Sequence, residues 1–291
     1  PSLLSLFVGY GVCFGVGSGL AYGLALYLTA SLEKRLRAIS IGIALGAFAL
    51  SGILLPIILG DWISNTNPDI SFVWIGLASL FIGTLSVMFI NLTKIKISGT
   101  EFNPLIEKIP IDTKFLMLCL IFFLVCFTGL AIVSQSAAIA SSAEIETSGY
   151  AISILTVGYL IGCLTGAPFA ENVKERVVLL TLSFITLIGV VCMLSNSFYI
   201  LFLGSSFIGL TLGGVGSVMP VLLGIRYGPN NISRLYGRMI IAYGLAGLIA
   251  PIVAGSFFDL VNNYSLILYL CIFLSIFSAI ISTLLEKNKK S

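Results

Sequence analysis

Residues 15–52 read GVGSGLAYGLALYLTASLEKRLRAISIGIALGAFALSG, two apolar stretches separated by a short segment that carries Lys34, Arg35 and Arg37. Both apolar stretches reach about 20 residues or more when followed outward, the length that an α-helix needs to cross roughly 30 Å of hydrocarbon. Transmembrane β-strands are too short to account for such runs. This part of the chain therefore predicts two membrane-spanning helices joined by a basic loop.

The same pattern extends over all 291 residues, of which 58% are hydrophobic and 9% are charged. The mean hydropathy is +1.12, and in a soluble domain roughly a quarter of the residues would be charged. The sequence thus predicts an all-α integral membrane protein embedded in a lipid bilayer. Nine spans are expected, at residues 4–31, 39–60, 71–91, 115–138, 148–169, 177–195, 198–224, 239–258 and 265–285.

The basic residues indicate how these spans are oriented. All fifteen lie in five alternate connecting or terminal segments, and the charged residues of the other connections are acidic. By the positive-inside rule the basic segments face the cytoplasm, which predicts a multi-pass protein of the cytoplasmic (inner) membrane with a cytoplasmic C-terminus. Because the net charge of +3 is small and the basic residues flank apolar spans, nucleic acid is not expected as a partner.

Two motifs recur late in the chain, at shifts of 194 and 195 residues. The first is a ladder of small residues at every fourth position, with Gly11, Gly15, Gly19 and Gly23 matched by Ser205, Gly209, Gly213 and Ser217. The second is Gly-xxx-Pro-xxx-Gly, with Gly52, Pro56 and Gly60 matched by Gly247, Pro251 and Gly255. Such spacing lines one helix face with small residues and lets a neighbouring backbone approach closely. We expect these positions to serve packing and gating, with Pro220 as a further point where a helix can bend.

The repeat also predicts how the chain is divided. Residues 92–114 are polar and basic and read as a cytoplasmic linker between three spans in 1–91 and six spans in 115–291. The first three spans match the last three, so the fragment 1–91 corresponds to the end of a six-helix half. The expectation is a twelve-helix protein of two parallel six-helix halves, with three further helices before Pro1.

Several function classes are disfavoured by what the sequence contains. It has no histidine, the commonest general base and metal ligand, and its six cysteines lie in apolar runs without a CxxC pair. The apolar spans carry no central Asp or Glu, and no GxxxxGK[ST] motif is present. An intramembrane enzyme or an ATP-hydrolysing protein is therefore not expected, and neither is a metal or other cofactor.

Two six-helix repeats joined by a basic cytoplasmic loop resemble the major facilitator superfamily. Residues 15–52 resemble the fourth and fifth helices of its oxalate/formate antiporter and monocarboxylate-carrier branch, and GRMIIAYGLAGLIAPIVAGSFFD at 237–259 resembles the eleventh. In the segment GAPFAENVKERV, Glu171 and Arg176 stand where that family carries acidic and basic residues of a gating loop. Tyr243 occupies the place of a lysine in oxalate carriers, so the resemblance does not extend to oxalate as the substrate.

The resemblance implies a secondary transporter that moves a small organic solute, a monocarboxylate among the candidates, by alternating access of two halves. Polar residues in helices that border the cavity in this superfamily are the candidate substrate ligands: Gln135, Tyr22, Tyr243, Tyr159 and Ser134. Gln135 stands out because its amide offers donors and an acceptor in a helix with few large polar groups. A coupling ion or counter-substrate, as in an antiporter, is expected as a further partner. The alternative is a non-transporting membrane subunit or an inactive truncated transporter.

Overall fold

A computed structural model describes residues 3–30, 32–66, 68–92, 111–142, 149–195, 197–228 and 231–285, and these residues are predominantly helical. Their elements are α1 (Leu3–Leu6), a π-helical segment (Phe7–Phe14), α2 (Gly15–Ala30), α3 (Lys34–Asn65), α4 (Pro68–Leu92), α5 (Thr113–Ser142), α6 (Gly149–Asn172), α7 (Glu175–Met193), α8 (Phe198–Tyr227), α9 (Ile232–Val261) and α10 (Ser265–Leu284). Nine helical stretches in the described residues are long and apolar enough to cross a membrane. The predicted all-α class is confirmed.

Two helices begin earlier than their hydropathy predicts. α3 begins at Lys34 and α9 at Ile232, so basic residues that were expected in loops lie in helical turns instead. In α9 the buried side chains of Ile232, Leu235 and Met239 form a stripe at helical spacing, whereas Arg234 is exposed. Arginines between these apolar residues lower the average hydropathy of the segment, although its apolar face is continuous. The predicted span 239–258 is therefore shorter than α9.

The chain divides into two compact units, residues 1–50 with 111–291, and residues 51–110. The second unit contains the end of α3 and the whole of α4, and the apolar side chains of α4 are largely exposed. In α4 the hydroxyl of Ser79 donates to the carbonyl of Ile75 at 2.8 Å, and Ser86 donates to Ile82 at 2.8 Å. Polar groups bonded within their own helix suit a surface that faces hydrocarbon.

Part of the predicted organisation lies outside the described residues. Residues 93–110 of the expected linker 92–114 lie outside the described residues. The surroundings of Pro56 and Gly60 are likewise not described. Gly52 is exposed on α3. The third predicted span, 71–91, corresponds to α4, which begins at Pro68 and ends at Leu92. Proline is favoured at the first position of a helix, where its missing N–H costs no hydrogen bond.

The core of the first unit is built on a contact between the backbones of α6 and α8. A Cβ atom at Gly209 or Gly213 of α8 would overlap a backbone carbonyl of α6, that of Leu155 or Tyr159. On the facing side, a Cβ at Gly162 of α6 would overlap the carbonyl of Leu210 in α8. Only glycine fits at such a distance, so the absence of side chains at these positions lets the two backbones approach closely.

The matching ladder in α2 has different surroundings. Within the described residues, no atom outside its own helix lies within 4 Å of a Cβ built at Gly15, Gly19 or Gly23. At Gly11 the side chain of Phe7 comes to 3.7 Å, and Phe7 belongs to the same span. The predicted close approach of a neighbouring backbone is therefore absent from this face in the part of the chain that the structure describes.

The predicted proline and glycine positions of α8 and α9 have different surroundings from one another. α8 continues helically from Phe198 to Tyr227 through the buried Pro220, where the sequence predicts a point of bending. α9 likewise continues through Pro251. A Cβ at Gly247 would meet the Leu130 side chain at 3.6 Å, an ordinary contact, and one at Gly255 would meet no described atom within 4 Å.

Candidate functional site

Two tyrosines from distant parts of the sequence meet inside the first unit. The hydroxyl oxygens of Tyr22 in α2 and Tyr236 in α9 lie 3.0 Å apart, a hydrogen-bond distance. Their rings stack with centroids 5.9 Å apart and planes inclined by 23°. The Tyr236 hydroxyl also donates to the backbone carbonyl of Gly216 in α8 at 3.4 Å. Tyr236 is 2% exposed, so it forms the buried side of this pair.

Phe122 of α5 extends this contact toward a third tyrosine. Its ring centroid lies 6.2 Å from that of Tyr236 and 6.3 Å from that of Tyr243, which lies two turns further along α9. The ring of Phe122 is itself fully buried. Offset rings at these separations attract each other by about 0.5–1.5 kcal/mol beyond the area they bury. The aromatic side chains therefore form one connected cluster rather than separate pairs.

A fourth tyrosine completes the cluster, and two thiols lie beside it. Tyr159 of α6 lies near Tyr22, Tyr243 and the thiol of Cys126, close enough for their ionised forms to repel each other. It also interacts with Cys163, which lies one turn further along α6 and donates from Sγ to the carbonyl of Gly213 at 3.5 Å. We call Tyr22, Tyr159, Tyr236 and Tyr243, with Phe122, the tyrosine cluster. Four helices, α2, α5, α6 and α9, contribute to it.

The tyrosine cluster combines hydroxyl groups with ring faces. A backbone carbonyl can only accept, so when Tyr236 donates to Gly216, the hydrogen bond with Tyr22 takes its proton from Tyr22. Phenol groups offer both donors and acceptors to a polar solute, and rings cover its apolar parts. Among the described residues, no group of three or more His, Cys, Asp or Glu side chains is arranged to hold a metal ion.

Three of the five predicted substrate ligands, Tyr22, Tyr159 and Tyr243, come together in the tyrosine cluster. Gln135 and Ser134 do not join it, since Gln135 lies thirteen residues beyond Phe122 on α5, about 20 Å along the helix axis. The Ser134 hydroxyl donates to the carbonyl of Ala131 in its own helix at 2.8 Å. A substrate role for these two residues stays a prediction without support from their position.

At one end of the first unit, the start of α7 and the end of α8 are joined by an ion pair between Glu175 and Arg226. Both side chains are largely buried, with 16% and 7% exposed. Oε1 of Glu175 and Nε of Arg226 have no hydrogen-bond partner among the described residues. A buried pair of this kind is costly to break from one side, because the remaining charge is left without compensation. We call this end of the unit the charged end.

Asp112, just before α5, makes a second contact at the charged end. Its Oδ1 accepts from the Tyr227 hydroxyl of α8 at 2.5 Å and from the backbone N–H of Phe115 at 2.8 Å, which caps the start of α5. Partial burial raises the pKa of Asp112, but these hydrogen bonds and the charges of Arg226 and Lys114 outweigh it. The pKa therefore lies below the ordinary value of 3.8, and the contact is kept while the carboxylate is ionised.

The predicted gating residues Glu171 and Arg176 flank this ion pair without being seen in it. Glu171 is half-buried on the last turn of α6, and Arg176 is exposed on the first turn of α7. The acidic residue that meets a basic partner is Glu175, four residues after Glu171. A gating role for Glu171 and Arg176 stays a prediction.

Three features of the structure have no counterpart among the residues that the sequence analysis predicts. Tyr236 and Phe122 gave no signal, because aromatic residues are common in apolar spans and their direction depends on the exact helix register. The ladder Gly158, Gly162 and Gly166 in α6 does have a readable spacing of four. This ladder has no counterpart in residues 1–91, so the internal repeat does not reveal it.

Long apolar helices that enclose a cluster of tyrosines define an integral, multi-pass helical membrane protein. The sequence matches the family model of the Major Facilitator Superfamily over residues 116–291, more than half of the chain. The chain therefore belongs to the Major Facilitator Superfamily. It is also 21% identical over 259 residues to a protein of Escherichia coli strain K12 named "Uncharacterized MFS-type transporter YhjX". That match covers 85% of this chain and 64% of the relative's length, so the chain spans less than two thirds of that protein.

Proposed function

We propose that this protein is a secondary transporter that moves a small organic solute across the membrane by alternating access. The family assignment points to a transporter and not to an enzyme. The observation that carries the proposal is the tyrosine cluster, in which four helices bring hydroxyls and ring faces together inside the bundle. Tyr22, Tyr159, Tyr236 and Tyr243 are the proposed substrate ligands. The alternative of a non-transporting subunit is not favoured by the family match.

The finer parts of the proposal come from the sequence. We propose residues 1–91 as the end of the first six-helix half and 115–291 as the second half, in a protein of twelve helices. The alternating charges favour a cytoplasmic membrane with the C-terminus inside. A monocarboxylate is the first substrate class to test, exchanged for a second solute or coupled to an ion, because the resemblance favours that branch of the family.

Transport is testable with the full-length protein reconstituted in lipid vesicles. Vesicles preloaded with an unlabelled candidate would be given a trace of the same labelled compound, and exchange across the membrane would be measured. The panel would contain formate, lactate and pyruvate, a dicarboxylate, and uncharged polar solutes. We expect saturable exchange for at least one compound, with faster exchange than in vesicles without protein. If no compound exchanges faster than it leaks across vesicles without protein, the proposal is contradicted.

The role of the tyrosine cluster is tested with matched variants. Tyr159→Phe and Tyr243→Phe keep the rings and remove the hydroxyls, so we expect weaker binding of the exchanged solute and a higher KM by roughly fivefold, the effect of one lost hydrogen bond. Tyr269→Phe is the control, because Tyr269 is 58% exposed on α10. An equal change in all three variants would show that the hydroxyls of the cluster do not recognise the solute.

A further inference from the structure

Pro220 leaves one backbone carbonyl of α8 without its helical partner. In an α-helix the carbonyl of residue 216 accepts from the N–H of residue 220, and a proline at 220 has no N–H to donate. α8 nevertheless continues helically through this buried proline. A carbonyl without a partner is costly away from water. The Gly216 carbonyl is therefore free to accept a hydrogen bond from outside α8.

Tyr236 of α9 supplies that hydrogen bond. Its hydroxyl donates to the Gly216 carbonyl at 3.4 Å, and a phenol has one proton to give. In its second contact Tyr236 can only accept, so the Tyr22 hydroxyl, 3.0 Å away, is the donor there. The hydrogen bonds thus run in one direction, from Tyr22 to Tyr236 to Gly216. The proline in α8 sets this direction, because it leaves the Gly216 carbonyl in need of a donor.

The direction determines what Tyr22 offers to a solute. Tyr236 is 2% exposed, whereas Tyr22 is half-buried, so Tyr22 has the larger surface that a solute can contact. Because its proton is given to Tyr236, the Tyr22 oxygen has only lone pairs left for the solute. A hydroxyl or ammonium group can donate to these lone pairs. A carbonyl or carboxylate oxygen in the same place would bring two acceptors together without a proton between them.

We infer that Tyr22 recognises the solute as a hydrogen-bond acceptor and selects solutes that carry an O–H or N–H donor over solutes that carry only acceptors at that point. Tyr236 is the positioning residue that directs the Tyr22 proton away from the solute. The inference rests on the proposed transport function and deepens it by naming the chemistry of the solute. Tyr243 offers a contrast, since its hydroxyl has no hydrogen-bond partner among the described residues and can donate or accept.

Lactate, alanine and pyruvate are suitable probes, because these three-carbon carboxylates differ at the second carbon, which carries a hydroxyl, an ammonium or a carbonyl group. Binding to the full-length protein in detergent is measured from the rise in Tm with solute concentration, which does not require transport. We expect lactate or alanine to bind about tenfold more tightly than pyruvate, the effect of one hydrogen bond. A preference for lactate would identify a hydroxyl as the donor, and a preference for alanine an ammonium group.

The variants separate selection from general binding. Tyr22→Phe should remove the preference by weakening the solute that carries the donor. Tyr236→Phe should also reduce the preference, but by tightening pyruvate roughly fivefold, because the Tyr22 proton becomes free to donate to its carbonyl. A purely structural loss would not tighten any solute. Tyr243→Phe should weaken all three probes about equally, and Tyr269→Phe, exposed on α10, should change nothing.

Pro220→Ala provides a second route to the same result if Tyr236→Phe does not fold. The alanine restores the N–H that the Gly216 carbonyl lacks, so the Tyr236 proton is no longer needed there. We expect a smaller change than in Tyr236→Phe and in the same direction, with tighter binding of pyruvate.

Several outcomes would overturn the inference. Equal binding of the three probes by the wild type would do so, as would tighter binding of pyruvate or no binding of any probe. Equal weakening of all three in Tyr236→Phe would show that Tyr236 only packs the cluster. Exchange measured in vesicles keeps the two proposals apart. Exchange without a preference for donors contradicts the inference alone, and donor-selective binding by a protein that exchanges no solute contradicts transport alone.

Discussion

The glycine ladders of α2 and α8 have the same spacing and different surroundings. In α8, Gly209 and Gly213 lie where any side chain would overlap the backbone of α6, whereas Gly15, Gly19 and Gly23 of α2 have open space around them in the described residues. Spacing alone therefore specifies a face that can accept a close neighbour. Whether the face is used depends on a second ladder opposite to it, which α6 supplies with Gly158, Gly162 and Gly166.

The largest expected effect comes from filling the two ladders. Gly213→Val should destabilise the protein by at least about 3 kcal/mol, because the new side chain meets a backbone carbonyl that cannot turn away. Gly19→Val in the 291-residue chain should change stability by less than about 0.5 kcal/mol. Thermal unfolding in detergent, with the fraction of folded monomer from size-exclusion chromatography, measures both. Equal damage at both positions would mean that α2 has a neighbour which the described residues do not include.

A smaller effect is expected from the ion pair that fixes the end of α8. Arg226→Ala leaves the largely buried Glu175 without its partner and should cost about 3 kcal/mol or somewhat less, since part of Glu175 reaches solvent. Arg176→Ala serves as the matched control, because that arginine is exposed one residue away from Glu175. The same unfolding assay applies. If the two variants unfold at the same temperature, the ion pair does not contribute to holding α8.

The smallest expected effect concerns the acid dependence of the contact between Asp112 and Tyr227. Because its pKa is lowered in the folded state, Asp112 adds stability above pH 3.8, and this contribution is lost as the pH falls further. Thermal unfolding of the wild type should therefore show a steeper loss of stability below pH 3.8 than Asp112→Asn. The neighbouring residues Lys114, Arg226 and Glu175 are the same in both proteins, so the comparison isolates Asp112. Parallel pH curves would rule out this role of Asp112.

The membrane spans and the family were predictable from the sequence, because both depend on composition and on short motifs. The spans follow from apolar length, and their bounds differ mainly where exposed arginines interrupt a buried stripe, as Arg234 does in α9. The family followed from motifs within residues 15–52 and 237–259, and the later match over 116–291 confirms the superfamily. The oxalate/formate and monocarboxylate branch stays a prediction.

The features that depend on helix register were not predictable in the same way. A rotation of α9 by one residue, about 100°, would turn Tyr236 away from Tyr22, and no property of the sequence fixes that angle. The choice between Glu171 and Glu175 is of the same kind, since the turn between α6 and α7 decides which of these carboxylates reaches Arg226. Tyr22, Tyr159 and Tyr243 could be proposed as ligands only because the resemblance implies which helices border a cavity, and that is information about neighbouring helices.

The backbone contact between α6 and α8 has a mechanical consequence. α6 and α8 pack so closely that carbonyl oxygens of one helix occupy the space of Cβ atoms on the other, so the two helices move as one rigid unit. With 30 residues, α8 is about 45 Å long. A tilt of about 10° around its midpoint would displace each tip by roughly 4 Å. That distance exceeds the reach of a hydrogen bond. A slight rotation of α8 about its centre is therefore enough to break the hydrogen bond between Tyr227, at its end, and Asp112.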